Sequence, residues 1–207
     1  MSEQQGKALE AFLGLIAERG FAAVSLRDVA QAAGLRLADL YRLHPDKTAL
    51  VASFLARIDA EVLSGTPSAG DPEETARDRL FDVMMRRYDA LKPWRGAWRA
   101  IRSALLRDPV LALSLGPAVR RSMAAMLEAA GISSEGLSGA VRQNGLAAIY
   151  FDVSRTFDGD ESDDLSKTMA ALDGRLKTAE RWAQSFEKYT EFRQPWGREQ
   201  ARETPGA

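Results

Sequence analysis

Between Ser25 and Leu50 the chain reads SLRDVAQAAGLRLADLYRLHPDKTAL, and this stretch has room only for short helices broken by tight turns. Ser25 is a helix N-cap, with Asp28 three residues on as an imperfect capping-box partner. Val29 with Ala32 and Ala33 gives that helix an apolar face. Gly34 breaks it, because glycine enters the left-handed conformation of a helix end without steric cost. A second short helix is predicted from about Arg36 to Arg42, and Pro45-Asp46 stops it and caps a third at Lys47. Helix, glycine turn, helix is the layout of a helix-turn-helix, whose second helix lies in the DNA major groove.

With these residues in place, the stretch resembles the N-terminal DNA-binding domain of the TetR family of bacterial repressors. The matching elements are Val29-Ala30, Ala33-Gly34, Leu40-Tyr41, Lys47 and Leu50, preceded by a helix ending in Glu18-Arg19-Gly20-Phe21. The resemblance implies a homodimer that binds a double-stranded DNA operator and a C-terminal helical domain that takes a small, hydrophobic effector. It also implies a DNA-facing set of Ser25, Arg27, Arg36, Leu37, Tyr41, Arg42 and Lys47. In that set Tyr41 takes the family's phosphate-contacting position, and Lys47 sits at a helix N-terminus whose amides also point at the backbone. Arg36 and Arg42 are placed to reach the groove, where arginine reads guanine in bidentate fashion.

The chain departs from the family pattern at several of these positions. Asp39 stands where a small hydroxyl or alanine usually faces the DNA backbone, and a carboxylate there repels phosphate. Leu37 replaces a basic or polar residue after the turn, and Leu43-His44 replaces a His-Phe pair. Over residues 1–60, seven basic residues (Lys7, Arg19, Arg27, Arg36, Arg42, Lys47, Arg57) balance seven acids. A basic footprint must therefore come from placement, not from excess charge. The whole chain has a formal net charge of −1, so no global field draws it to nucleic acid or acidic lipid.

Helical punctuation continues on both sides. Leu9, Phe12/Leu13 and Ile16 form the apolar face of an opening helix that ends at Gly20, and Leu50, Phe54 and Ile58 do the same from Lys47 to about Leu63. The run SGTPSAG reads as a linker. It divides a head (1–63) from a body (71–192) across residues 64–70, and residues 193–207, rich in proline and glycine, read as a loose tail. The body opens at Asp71-Pro72-Glu73-Glu74, a cap followed by proline and acids, with a stripe of Leu80/Phe81, Met84, Tyr88 and Leu91. Further helices are expected over about 94–106, 117–130, 134–157 and from 165 onward. No strand-like alternation appears. The fold class is all-α, a TetR-like head of three helices followed by a helical bundle.

In the last helix Leu165, Met169, Leu172, Leu176, Ala179 and Ala183 recur at steps of three and four, a 3.5-residue seam. The TetR resemblance assigns that seam to a dimer interface, and an intramolecular core helix would show the same period. Met84, Tyr88, Trp98, Ile101, Met123 and Met126 are the candidate lining of an effector cavity, since methionine adapts to permissive apolar sites, and they fit plain core equally. His44, the one histidine, lacks companions for zinc or a triad and reads as a packing aromatic. The acids Asp158 to Asp164 fail as a calcium loop, with Asp163 where glycine is needed, and suit helix capping. No cysteine, phosphate loop, metal-ligand spacing or nucleophile elbow occurs, so neither an enzyme nor a bound cofactor or metal is expected.

No apolar run approaches the roughly 20 residues of a membrane span, and the N-terminus is polar, so a cytoplasmic protein is expected. Arg87-Tyr88-Asp89 through Trp98, and Asp160 to Asp163 with Lys167 to Leu176, are also similar to a ubiquinone-biosynthesis lipid-binding family that keeps a TetR-like fold without DNA. That similarity implies peripheral membrane contact through Trp182, Phe186 and Tyr189, bordered by Arg181 and Lys188.

Overall fold

A computed structural model describes residues 2–66 and 74–192, with side chains as far as Trp182. The head is built around α1 (Glu3–Arg19), whose Leu9, Phe12, Leu13 and Ile16 are fully buried. A closed capping box at Ser2 and Gln5 starts it, and Gly20, at φ 83°, turns the chain away. Then come α2 (Leu26–Ala32), α3 (Leu37–Leu43) and α4 (Lys47–Ser64). Gly34, at φ 66°, makes the turn between α2 and α3. Val29, Leu40 and Leu50 close the head core with Phe21, which meets Phe12 edge-on at 6.1 Å.

The body comprises α5 (Ala76–Leu91), a single 3-10 turn at Lys92–Trp94, α6 (Arg95–Arg107), α7 (Pro109–Ala129), α8 (Gly136–Asp158) and α9 (Ser166–Phe192). No strand occurs among the described residues. Three contacts tie the head to it. The upper half of α4 packs on α5 and α7, burying Ile58 and Val62. Against α1, α6 approaches so closely that a Cβ built on Gly96 would lie 3.2 Å from that of Ala17. Phe54 and Arg57 of α4 both rest on Trp94, edge-on at 6.3 Å and cation-on-face at 5.0 Å.

Several boundaries differ from those expected. The seventh helix starts at Pro109, not near Pro117, because Asp108 accepts from the amides of Val110 and Leu111 and proline occupies the first helical position. Pro117 lies inside the helix and deletes one rung of its ladder. This 21-residue helix is also long and apolar enough by composition to cross a membrane, which corrects the reading that no run approaches that length. Its face of Leu115, Met123, Met126 and Leu127 is buried against the rest of the body. The body's first described helix is capped by Thr75, whose hydroxyl accepts from the Asp78 amide; Asp71 to Glu73 and residues 67–70 of the expected linker lie outside the described residues, as does the tail.

Half of the expected seam of the last helix is internal. Leu165, Leu172 and Leu176 are buried against this chain's own α5 and α8, so these three side chains are unavailable to a second copy. At these three positions the 3.5-residue period records packing inside one protomer. Met169 and Ala179 are exposed, and the Ala183 side chain lies outside the described residues, as do those of Phe186, Lys188 and Tyr189.

Asp160 locks the entry to α9. Its carboxylate accepts from the amide and hydroxyl of Thr168 at 2.8 and 2.7 Å, and from the amide and hydroxyl of Ser162. Burial opposes its charge, and these four donors more than reverse that, holding its pKa well below the usual carboxylate range. Of the other acids in the cluster, Asp158 pairs with Arg102 and Asp164 accepts from the Ser166 amide. A folded-state pKa below the unfolded value of about 3.9 gives stability that is complete above that pH and lost as pH falls. We expect Asp160→Asn to lower Tm by about 2–6 °C at pH 7 in a thermal melt, and the deficit to shrink steadily below about pH 4.

Candidate nucleic-acid interface

Seven residues between α1 and α4 bear on the candidate surface, and the structure sorts them. Ser25 caps α2 through a closed box: Asp28 accepts from its amide and its hydroxyl at 2.8 and 2.6 Å, and the Ser25 oxygen accepts from the Asp28 amide. Its hydroxyl is therefore engaged in holding α2. Lys47 is half-buried. Its ammonium donates to the Phe21 carbonyl at 2.9 Å and lies 4.5 Å from the centre of that ring, and burial pulls its pKa down. Its first task is to brace the α1–α2 turn against the start of α4.

The other five form one outward face. Arg27 from α2 stands beside Leu37, Tyr41 and Arg42 on α3, and Arg36 sits at the α3 N-cap. Leu26 and Ala38 complete this face, and the sequence reading missed both. Leu26 is the first residue of α2, and its adjacency to Arg27 was the available signal.

Asp39 is not a bare carboxylate. Arg36 grips it through Nε and Nη2 at 2.6 and 3.0 Å, and Arg42 Nη2 donates to it from the following turn. Hydrogen bonding from Arg36, aided by the charge of both arginines, lowers its pKa. The two guanidinium groups remain mostly exposed while the carboxylate between them is largely covered. The repulsive residue is thus wrapped inside a cluster of net charge +1. His44, expected as a packing aromatic, is buried, has Nδ1 3.4 Å from the Ser53 hydroxyl, and burial pulls its pKa down.

In the body, all six candidate cavity residues are fully buried and converge from α5, α6 and α7. Tyr88 donates to the Tyr150 carbonyl at 2.9 Å and Trp98 Nε1 to Ser154 at 3.1 Å, so their polar atoms serve the core. Beside them lies a polar group that the sequence reading did not single out. Arg87, fully buried on α5, pairs with Asp59 on α4, which also accepts from Ser122 on α7 at 2.6 Å. Arg87 Nε and Nη2 and the Tyr150 hydroxyl have no hydrogen-bond partner among the described residues. The Arg87 Cζ stands 4.9 Å from the Tyr150 ring centre, and burial pushes that phenol up to about 12. An acid at Asp59, in a helix whose apolar face includes Ile58 and Val62, was the sequence signal for this pair.

Residues 8–54, from α1 through the helix-turn-helix into α4, match the family model described as bacterial regulatory proteins, tetR family. The head is thus similar to the DNA-binding domain of that family. Its fold is similar to that of a TetR transcriptional regulator from Nitrosomonas europaea (TM-score 0.66, 24% identity, covering 86% of this chain and 98% of that one). A TetR transcriptional regulator from Rhodococcus sp. RHA1 gives a TM-score of 0.58 at 26% identity over 84% of this chain and 94% of that one. One from Syntrophomonas wolfei gives 0.64 at 14% identity, covering 86% and 94%. No curated protein matches. TetR proteins are DNA-binding regulators, not enzymes, and they usually act as dimers. The lipid-binding similarity is not favoured by these matches.

We expect Asp39→Ala to strengthen binding to any duplex and to steepen its salt dependence. The slope of log affinity against log salt should grow by about 0.9 for each arginine released to a phosphate, as measured by fluorescence anisotropy across a salt series.

Proposed function

We propose that this TetR-type regulator is a dimeric repressor whose operator affinity falls when a small, apolar effector enters the body. The observation that carries this reading is α4, one helix that contributes Leu50 to the head core and Asp59 to the buried polar centre of the body. Because Asp59 is held by Arg87 of α5 and Ser122 of α7, spreading those helices acts directly on α4 and so on α3 beyond it. An apolar effector among Met84, Tyr88, Trp98, Ile101, Met123 and Met126 would find an anchor for a polar end in the orphaned groups of Arg87 and Tyr150. It shifts the head only to the extent that it binds the spread form more tightly. With DNA as its partner, the protein acts in the cytoplasm.

The dimer face is drawn from α8 and the outer flank of α9. Leu137 and Val141 are 85% and 66% exposed, and Trp182 is 65% exposed. An Arg175–Asp152 pair at 2.8 Å sets the antiparallel register of the two helices, which brings Trp182 to the same end as Val141. Pairing through such a face sets two copies of α3 about 34–36 Å apart, one DNA turn. Val141→Asp combined with Leu137→Asp is expected to leave the melting temperature almost unchanged while converting the dimer to a monomer in light scattering. DNA binding should weaken at least tenfold as the second half-site contact is lost.

Binding to fragments of the protein's own upstream region across a salt series tests the reading. Tight, sequence-selective binding with a steep slope that Arg27→Ala and Arg42→Ala reduce supports it. Absence of selective binding at low salt overturns it, and native mass spectrometry for a co-purified lipid would then decide the alternative.

A further inference from the structure

The face that α3 offers to DNA is unusually apolar for its task. Leu37 and Tyr41 are 43% and 60% exposed, and with Leu26 and Ala38 they line a shallow open recess flanked by Arg27 and Arg42. Exposed leucine at the start of a recognition helix gains free energy only by covering apolar surface. In the major groove the apolar group on the base edges is the C5 methyl of thymine.

The polar residues of the same helix are occupied with one another. Arg36 spends Nε and Nη2, one of the two edges open to a bidentate guanine contact, on Asp39. Arg42 directs Nη2 to Asp39 and Nε to the Ala38 carbonyl at 3.4 Å. Each exposed pair alone is weak. What discourages its opening is the aftermath, because an arginine that leaves for a base uncovers a carboxylate in front of a polyanion. The arginines therefore stay on Asp39 and meet the phosphates as a cluster of net charge +1.

We propose that the operator half-site is read through thymine methyl groups seated against Leu26, Leu37, Ala38 and Tyr41, with Arg36 and Arg42 positioning the helix on the backbone. This rests on the regulator reading above. It makes Leu37 the specificity-determining residue at a position where resemblance alone suggested a polar contact.

The test uses the full-length protein and a random duplex pool. The selected site is resynthesised with each thymine replaced in turn by deoxyuridine, which keeps the pairing edge and removes only the methyl. At one or two positions per half-site the affinity should fall about threefold to fourfold, the worth of one buried methyl. Leu37→Asn, an exposed substitution that leaves the head folded, should bind the thymine and uracil duplexes equally. Indifference to uracil at every position overturns the proposal, as does a half-site whose selectivity vanishes on replacing guanine by 7-deazaguanine. A pool that yields no selected sequence overturns the proposal together with the regulator reading, whereas selective binding blind to methyl groups overturns the proposal alone.

Discussion

Everything in this molecule hangs on α4 belonging to two cores at once. Its first turns seal the head through Leu50 and Phe54, and its later turns enter the body through Ile58, Asp59 and Val62. Asp59 makes that second attachment specific. A carboxylate among apolar helices is costly unless it is paired and hydrogen-bonded, and Arg87 and Ser122 satisfy it from two different helices. The body therefore holds α4 at one rotation and height. Apolar packing alone would tolerate neighbouring arrangements.

The head solves a different electrostatic problem. Over residues 1–60 seven acids cancel seven basic residues, so nothing in the overall charge favours DNA. Placement supplies what composition withholds: Asp28 is closed into a cap, Asp39 is wrapped by two arginines, and the guanidinium heads remain in solvent. A neutral domain thus presents a positive and apolar face.

Much of the fold was legible from periodicity and punctuation. The helix-turn-helix, its glycine turn and the capping box at Ser25 needed only neighbours in sequence, and they appear as expected. Errors arose where two readings share one pattern. Pro117 looked like a helix start because proline suits that position, yet Asp108-Pro109 supplies the stronger signal eight residues earlier. Leu165, Leu172 and Leu176 have the period of a dimer seam, and a buried internal helix has the same period; only tertiary contacts separate them. The site was less legible than the fold. Lys47 is sequestered by Phe21, and Asp39 is neutralised by residues three away on either side, because side-chain partnership depends on rotamers that sequence spacing does not fix.

The contact between Gly96 and Ala17 carries a mechanical consequence. Most helix pairs meet through interleaved side chains, which can change rotamer and absorb small displacements. Here α6 and α1 touch with a single hydrogen where a methyl would already crowd its neighbour at 3.2 Å. Any side chain at position 96 would have to push the two helices apart at the point where head and body meet, so the spacing of the two units is set here by the absence of a side chain.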